Sequence, residues 1–405
     1  MNGTLRGRRP EPGRLVADAA AAVRELEGLG HRDPILVAYH PIARMNPYQA
    51  LLYAGAWRQG VASVPLFDLE ELDHLVALRD ATGARLVLHL HWTNRILEGA
   101  ADPVDARARL DMFVARLDRF VAAGGAIAWT VHNVLPHGAA MPALEAALQQ
   151  AIVDRATVVH VMSSNAAAEV AEWFTIPADK LLHVPHPNYI GAYVDSISRE
   201  AARWELDLPV DDTVYALLGA IKPYKGLDQL LGAFAEISAR EGGRRRLVVA
   251  GMPSNEPGVD DFLERCELDP FISLYPRSIP GDDMQVFLRA ADIAVLPYLR
   301  SLNSGVLMLA LSFGVPVVAP RVGGIAEIVG PEVGRLYDPL EPNGLIAAML
   351  AADELRTPQA RDAARRAAER YDPARLSSEF ARGIADRLAT PVGSVGETSV
   401  PAGGA

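Results

Sequence analysis

The stretch TVYALLGAIKPYKGLDQLL, residues 213–231, opens with an apolar run of β-forming character over 213–221. A short turn follows, Lys222-Pro223-Tyr224-Lys225-Gly226. Leu227, Leu230, Leu231 and Phe234 then recur at helical spacing and predict an amphipathic helix. A strand that feeds a helix across a short turn leaves backbone N–H groups free at the turn. The helix start carries partial positive charge there and suits a phosphate. Two lysines sit in the turn, and Lys225 directly precedes Gly226, where backbone can approach a ligand closely. The chemical reading is a pyrophosphate site; the plain one is a solvated turn that holds two lysines.

Outward from this stretch the same rhythm continues. YALLGAI (215–221), RRLVVAGM (245–252), ISLYPRSI (272–279), DIAVLPY (292–298) and VPVVAP (315–320) read as strands, with helices near 342–353 and 357–370. Upstream, ILVAYH (35–40), ASVPLF (62–67), ARLVLHLHW (84–92), AIAWTVHN (126–133), TVVHVMS (157–163) and KLLHVPH (180–186) form an earlier set. Strands that alternate with helical patterns imply parallel sheets, so the class is α/β with two doubly wound, Rossmann-like domains. Residues 187–209 lack strand character and mark the boundary. The expected division is 14–195, 210–372 and a closing helix over 373–390, with 1–13 and 391–405 disordered on composition. Ligands of such folds bind at the carboxyl ends of the strands, here in the cleft between the two domains.

Composition bounds the chemistry. The formal charge of −11 argues against a nucleic-acid partner. The single cysteine, Cys266, excludes an internal disulfide framework and fits a cytoplasmic setting. No apolar run follows the basic start, which argues against a signal peptide. The longest apolar run, 305–320, is broken by Ser312, Gly314 and Pro316 and reads as helix, turn and strand rather than a membrane span.

Candidate residues fall in the first half and the second. His132 and Asn133 follow the strand 126–131 at its carboxyl end, where a histidine can serve as acid, base or phosphate contact. His40, ahead of Pro41 and Asn46, ends the first strand and could line the same cleft. His89 and His91 alternate along one strand with Trp92 beyond, but no third ligand stands out for a metal. In the second half, Ser301, Asn303, Ser304 and Gly305 precede the helix VLMLALSF, as ordinary caps or as phosphate contacts. Glu327 follows Gly323 and Gly324, and Arg277-Ser278-Ile279 ends a strand where backbone could read a base edge. Nucleophile elbows, Walker loops and Gly-x-Gly-x-x-Gly turns are missing from the sequence.

Taken in order, GAIKPYKGLDQLLGAF, AADIAVLPY, SGVLMLALSFGVPVVAP, VGGIAEIV and VGRLYDP resemble the GT-B fold glycosyltransferases of the family-4-like group (glycosyl transferases group 1), over about 213–340. TVHN resembles that family's segment with a cleft histidine, here His132, and the final helix after Tyr371-Asp372 resembles the one that crosses back to the first domain. There are departures. The family's arginine after the turn glycine is Ala220 here, with Lys222 as a substitute charge. The family's paired glutamates, eight apart, would fall on Ser301 and Leu309. That pair marks retaining members, so the stereochemical course stays open.

The resemblance implies transfer of a sugar from a UDP- or GDP-linked donor to a small-molecule or lipid-linked acceptor. No metal and no cofactor are implied, and a lipid-linked acceptor would call for peripheral membrane contact. His132, Lys222 and Lys225 would carry the chemistry. Gly219, Lys222, Lys225, Gly251, Arg277, Ser278, Ile279, Ser301, Asn303, Ser304, Gly305, Val306 and Glu327 would hold the donor. His40, Asn46, Trp92 and Asn133 would meet the acceptor. The rival readings are an epimerase or phosphorylase of the same fold and a non-catalytic subunit that binds a nucleotide sugar.

Overall fold

The computed structural model describes residues 12–136, 139–240 and 244–389 of the 405-residue chain. The stretches expected to be disordered lie outside these residues, except Pro12 and Gly13, which begin the helix Pro12–Gly28. Among the described residues twelve strands follow in two sheets of six. The first sheet holds β1 (Ile35–His40), β2 (Val61–Pro65), β3 (Arg85–Leu90), β4 (Ala126–Thr130), β5 (Val158–Val161) and β6 (Leu181–His183). The second holds β7 (Thr213–Leu218), β8 (Arg245–Ala250), β9 (Ile272–Tyr275), β10 (Ile293–Val295), β11 (Val317–Pro320) and β12 (Gly334–Tyr337).

All pairings are parallel, in the orders β2-β1-β3-β4-β5-β6 and β12-β11-β10-β7-β8-β9. Both sheets are doubly wound, as the sequence rhythm implies. Strand order reverses between β1 and β3 in the first and between β7 and β10 in the second. At such a reversal the connections leave in opposite directions and open a crevice at the strand carboxyl ends. Helices cover both faces, so the strands read as apolar runs rather than alternating ones; every residue of β7 is buried.

The outer face of the first sheet packs Leu15, Ala19 and Val23 of the first helix with Leu75, Leu117 and Ile152. Its other face is closed by two helices far apart in sequence. Tyr48, Leu52 and Tyr53 of the helix Tyr48–Tyr53 meet Leu376, Phe380 and Ile384 of the last helix, Pro373–Ala389, over Val37, Val87 and Val158. The Ser377 hydroxyl accepts from the Gly55 amide at 2.8 Å on the same contact. At Asn188 the chain crosses to the second sheet: Tyr189 lies in its core, and the Asn188 side chain donates to the Ala368 carbonyl at 2.8 Å.

A buried charge cluster pins the base of the second sheet. Asp292, which directly precedes β10, accepts from Arg203 at 2.6 Å, Arg199 at 2.7 Å and the Val214 amide of β7 at 2.9 Å. Arg203 is fully buried and also donates to the carbonyls of Pro209, Val210, Asp212 and Ala290. Burial pushes the Asp292 carboxyl up, but Arg203, the Val214 amide and Arg199 outweigh it and hold the carboxyl below its usual range. Its stabilisation is therefore present above the ordinary carboxylate pKa and is lost as pH falls through the lower folded value. Asp292→Ala strands Arg203 as an unpaired buried cation and is expected to cost about 3–5 kcal/mol. Denaturant unfolding at pH 7 measures this, and a loss under about 1 kcal/mol would show that Arg203 keeps solvation the structure does not reveal.

Candidate active site

The carboxyl ends of both sheets face each other across two adjoining cavities. The first, about 540 Å³, is lined by Tyr48, His91, Trp92, Thr93, Asn94, Trp129, His132 and His186 from the first half, and by Lys222 and Tyr224 from the second. The second, about 530 Å³, lies over β7 and β10 and is lined by Gly219, Lys225, Gly251, Ser278, Ile279, Tyr298, Ser301, Ser304, Val306 and Leu309. Asn46, Asn133, Ala220, Tyr224, Asn303 and Gly305 border both, so the two spaces run into one another.

The turn after β7 fixes the floor of the second cavity. Gly219 has φ +84°, open to glycine at little cost, and brings the chain round to the helical turn Pro223–Lys225. Gly226 has φ +66°, and a Cβ there would stand 2.0 Å from the Pro297 carbonyl oxygen. The close approach at Gly226 is therefore to the chain after β10 and not to a ligand. Lys225 is turned inward. Its Nζ donates to the Leu218 carbonyl at 3.0 Å and sits 5.6 Å from the Tyr298 ring centre. Burial, with Lys222 nearby, brings its pKa down to about 7. Lys222 lies at the rim, 3.4 Å from Glu256.

Opposite, the helix Gly305–Ser312 points its start into the cavity. Ser304 is a true cap: its hydroxyl accepts from the Leu307 amide at 3.1 Å, and Ser301 donates to the Asn303 carbonyl at 2.8 Å. The hydroxyls are engaged in the turn, which leaves the first helix amides, unpaired within any helix, as donors to an anion.

In the first cavity His132 stacks on Trp92, with ring centres 4.2 Å apart, and its Nε2 lies 3.1 Å from His91 Nδ1. Its carbonyl accepts from Asn303 at 3.0 Å, a bond between the two halves. Burial, followed by His160 and His186, lowers the His132 pKa well below the ordinary range, so its ring is neutral at pH 7. His89 and His91 are buried in the sheet face and bonded to other side chains. Among the described residues no three His, Cys, Asp or Glu gather to hold a metal ion. Cys266 is buried, and burial pushes its thiol up to about 12.

Three site expectations are corrected. His40 lies outside both cavities, its Nδ1 3.0 Å from the Leu66 carbonyl. Arg277 turns outward, 3.9 Å from Asp283, while its neighbours Ser278 and Ile279 reach the cavity. Glu327 reaches across the cleft to accept from the Ser164 amide and hydroxyl at 2.9 and 2.7 Å. Tyr48, His186, Tyr189 and Tyr224 were not read as site residues, because a single tyrosine or histidine carries no spacing signal.

Most of the second cavity's lining lies in a recognised unit: residues 212–352 match the model of the family described as glycosyl transferases group 1. The chain carries a glycosyl transferases group 1 domain. The GDP-mannose:glycolipid 4-beta-D-mannosyltransferase of Xanthomonas campestris pv. campestris is 29% identical over 324 residues, 78% of this chain and 82% of that one. The D-inositol 3-phosphate glycosyltransferase of Corynebacterium efficiens is 30% identical over 227 residues, 53% of each chain. The chain thus spans about half the length of the inositol 3-phosphate glycosyltransferases it matches. Sucrose-phosphate synthase from Thermosynechococcus elongatus superposes with a TM-score of 0.65 at 16% identity, over 88% of this chain and all of that one. Anabaena Alr3699/HepE in complex with UDP and glucose superposes with a TM-score of 0.64 at 14% identity, over 87% and 99%. The group 1 domain therefore forms the second half of a GT-B fold.

Within that domain Lys225 gives a pH test. A diphosphate contact from Lys225 would need the charged ammonium, which the empty site retains only below about pH 7. Above pH 7 binding must take up a proton, so nucleoside-diphosphate affinity is expected to fall by up to about tenfold per pH unit. Calorimetry in buffers of different ionisation enthalpy reads the uptake directly. Affinity that is flat from pH 7 to 9 would remove Lys225 from the phosphate contact.

Proposed function

We propose that the chain is a glycosyltransferase that moves a sugar from a UDP- or GDP-linked donor to a hydroxyl of a small-molecule or lipid-linked acceptor. The observation that carries this reading is the junction of the two cavities. A glycine turn, an inward lysine and a helix start border one, a neutral histidine stacked on Trp92 borders the other, and Asn133, Ala220 and Gly305 border both. A diphosphate in the second cavity would leave its sugar at that junction, within reach of an acceptor entering beside Trp92. The names of the relatives, one using GDP-mannose on a glycolipid, support the donor and acceptor classes.

In this reading His132 takes the proton from the acceptor hydroxyl as its oxygen attacks the anomeric carbon. The bond from that carbon to the diphosphate breaks, and the leaving group keeps the electron pair. Lys225, Lys222 and the amides at Gly305 and Val306 stabilise the growing charge, each preorganised donor at roughly 3 kcal/mol. No divalent metal is required, because the lysines and amides neutralise the diphosphate. Among the described residues no helix is long and apolar enough to cross a membrane, so a lipid-linked acceptor would be met at a membrane surface.

Turnover of UDP- and GDP-sugars by purified protein tests the reading. It is expected to persist in EDTA, and its loss on chelation would overturn the charge assignment. His132→Ala is expected to keep nucleotide affinity and lower kcat about 10²-fold or more. A folded variant with full turnover would remove His132 from the reaction. Nucleotide-sugar binding without any transfer or hydrolysis would instead favour the non-catalytic subunit.

A further inference from the structure

Behind His132 a file of hydrogen bonds runs under the first sheet, joined at Thr130 by the buried Tyr48 hydroxyl. His160 Nε2 lies 2.8 Å from the Val184 carbonyl, and its Nδ1 lies 2.9 Å from the Thr130 hydroxyl. That hydroxyl lies 2.8 Å from His89 Nε2, and His89 Nδ1 lies 2.5 Å from the Tyr53 hydroxyl. The Tyr53 oxygen lies 3.2 Å from His91 Nε2, and His91 Nδ1 lies 3.1 Å from His132 Nε2. His89, His91, Thr130 and His160 are buried, and Phe380 of the last helix stacks on His89 and abuts His160. Burial lowers all four imidazoles, so each carries one ring proton at neutral pH.

The proton positions then follow by counting. A carbonyl only accepts, so His160 must donate through Nε2, which leaves its Nδ1 as an acceptor. Thr130 has one hydrogen and gives it to that Nδ1, so its oxygen only accepts, from His89 Nε2 and from the buried Tyr48 hydroxyl beside it. His89 Nδ1 is then the acceptor, Tyr53 donates to it, and the Tyr53 oxygen accepts from His91 Nε2. His91 Nδ1 is left to accept from His132 Nε2. Every link points the same way, and the direction is set by one backbone carbonyl at the far end.

We propose that this file, anchored on the Val184 carbonyl and run through His160, Thr130, His89, Tyr53 and His91, holds His132 as the Nε2–H tautomer with its Nδ1 lone pair unprotonated. Nδ1 has no hydrogen-bond partner among the described residues, and the ring borders the first cavity. Nδ1 is therefore the basic atom offered to the acceptor hydroxyl, an inference that rests on His132 as the base. His91, Tyr53, His89, Thr130 and His160 are positioning residues, since none needs to touch substrate. Sequence spacing picked out His89 and His91 only as a pair on one strand and gave no hint of Tyr53, Thr130 or His160, because the file joins side chains from separate segments.

The test is the tautomer itself, read on full-length protein with 15N-labelled histidine by long-range proton–nitrogen correlation. His89, His91, His132 and His160 are all expected as neutral Nε2–H rings. Thr130→Val keeps the side-chain shape but removes the link. His89 Nε2–H would then be a buried donor without a partner, a state that folded proteins rarely keep. Reversing His89, Tyr53, His91 and His132 together removes that donor and puts the proton on His132 Nδ1. The variant is thus expected to show Nδ1–H at His132 and a kcat about tenfold lower or more, with donor KM unchanged. Thr130→Ser, which keeps the hydroxyl, restores the wild-type spectrum and rate. Tyr53→Phe cuts the file at a second point with the ring contacts retained, and serves if Thr130→Val does not fold. An imidazolium or Nδ1–H form at His132 in the wild type overturns the proposal, as does an unmoved Nε2–H signal in both cut variants. A tautomer that reverses while kcat stays constant keeps the file and removes His132 as the base.

Discussion

Asp292 holds the two strands on which the second half turns. It sits at the foot of β10 and binds the amide of Val214 in β7, so the central pair is fixed to one carboxylate. Arg199 and Arg203, from the segment that joins the halves, close on the same group. The carboxyl ends of these two strands supply Gly219, Lys225, Ser301 and Ser304. Sheet order alone would bring them near each other. The charge cluster fixes their relative height, and with it the distance between the lysine turn and the helix start across the cavity. A buried pair of this kind is weak evidence for net stability, because desolvation opposes the attraction. Its value here is geometric.

Much of the fold was legible because parallel strands buried on both faces are written as uninterrupted apolar runs. Eleven of the runs became strands, and the errors have a common form. The runs at 126–133, 245–252 and 292–298 continue past the last paired residue into the loops at the sheet edge. Those overruns hold His132, Gly251 and Tyr298, which line the cavities. A site built on strand ends extends the apolar pattern, because its loops are packed and not solvated. β12 (Gly334–Tyr337) was not read as a strand: four residues with a glycine and an arginine carry too little pattern. The first helix was hidden at its start by a stretch rich in Arg, Gly and Pro.

The site was legible to the extent that position along a strand determines it. His132, Asn133, Gly219 and the 301–306 loop lie where strand ends place them. His40 shares that position and still misses, because its ring is held against Leu66 on the next strand's exit. Arg277 fails in the same way. Which side a terminal side chain takes depends on the neighbour it finds, and that neighbour comes from elsewhere in the sequence. The buried hydroxyls of Tyr53 and Thr130 lay further out of reach, since their meaning exists only as links between rings.

The last helix carries a consequence for how the molecule is made. The inner face of the first sheet is completed by Leu376, Phe380 and Ile384. On the ribosome the end of β6, His183, is made about 200 residues before Ile384. At roughly 5–20 residues per second, that is a wait of about 10–40 s. Throughout it Val37, Val87 and Val158 stay uncovered on an otherwise finished sheet. The first half is thus born with an open apolar face, exposed to chaperones and to other nascent chains until the helix Pro373–Ala389 is made.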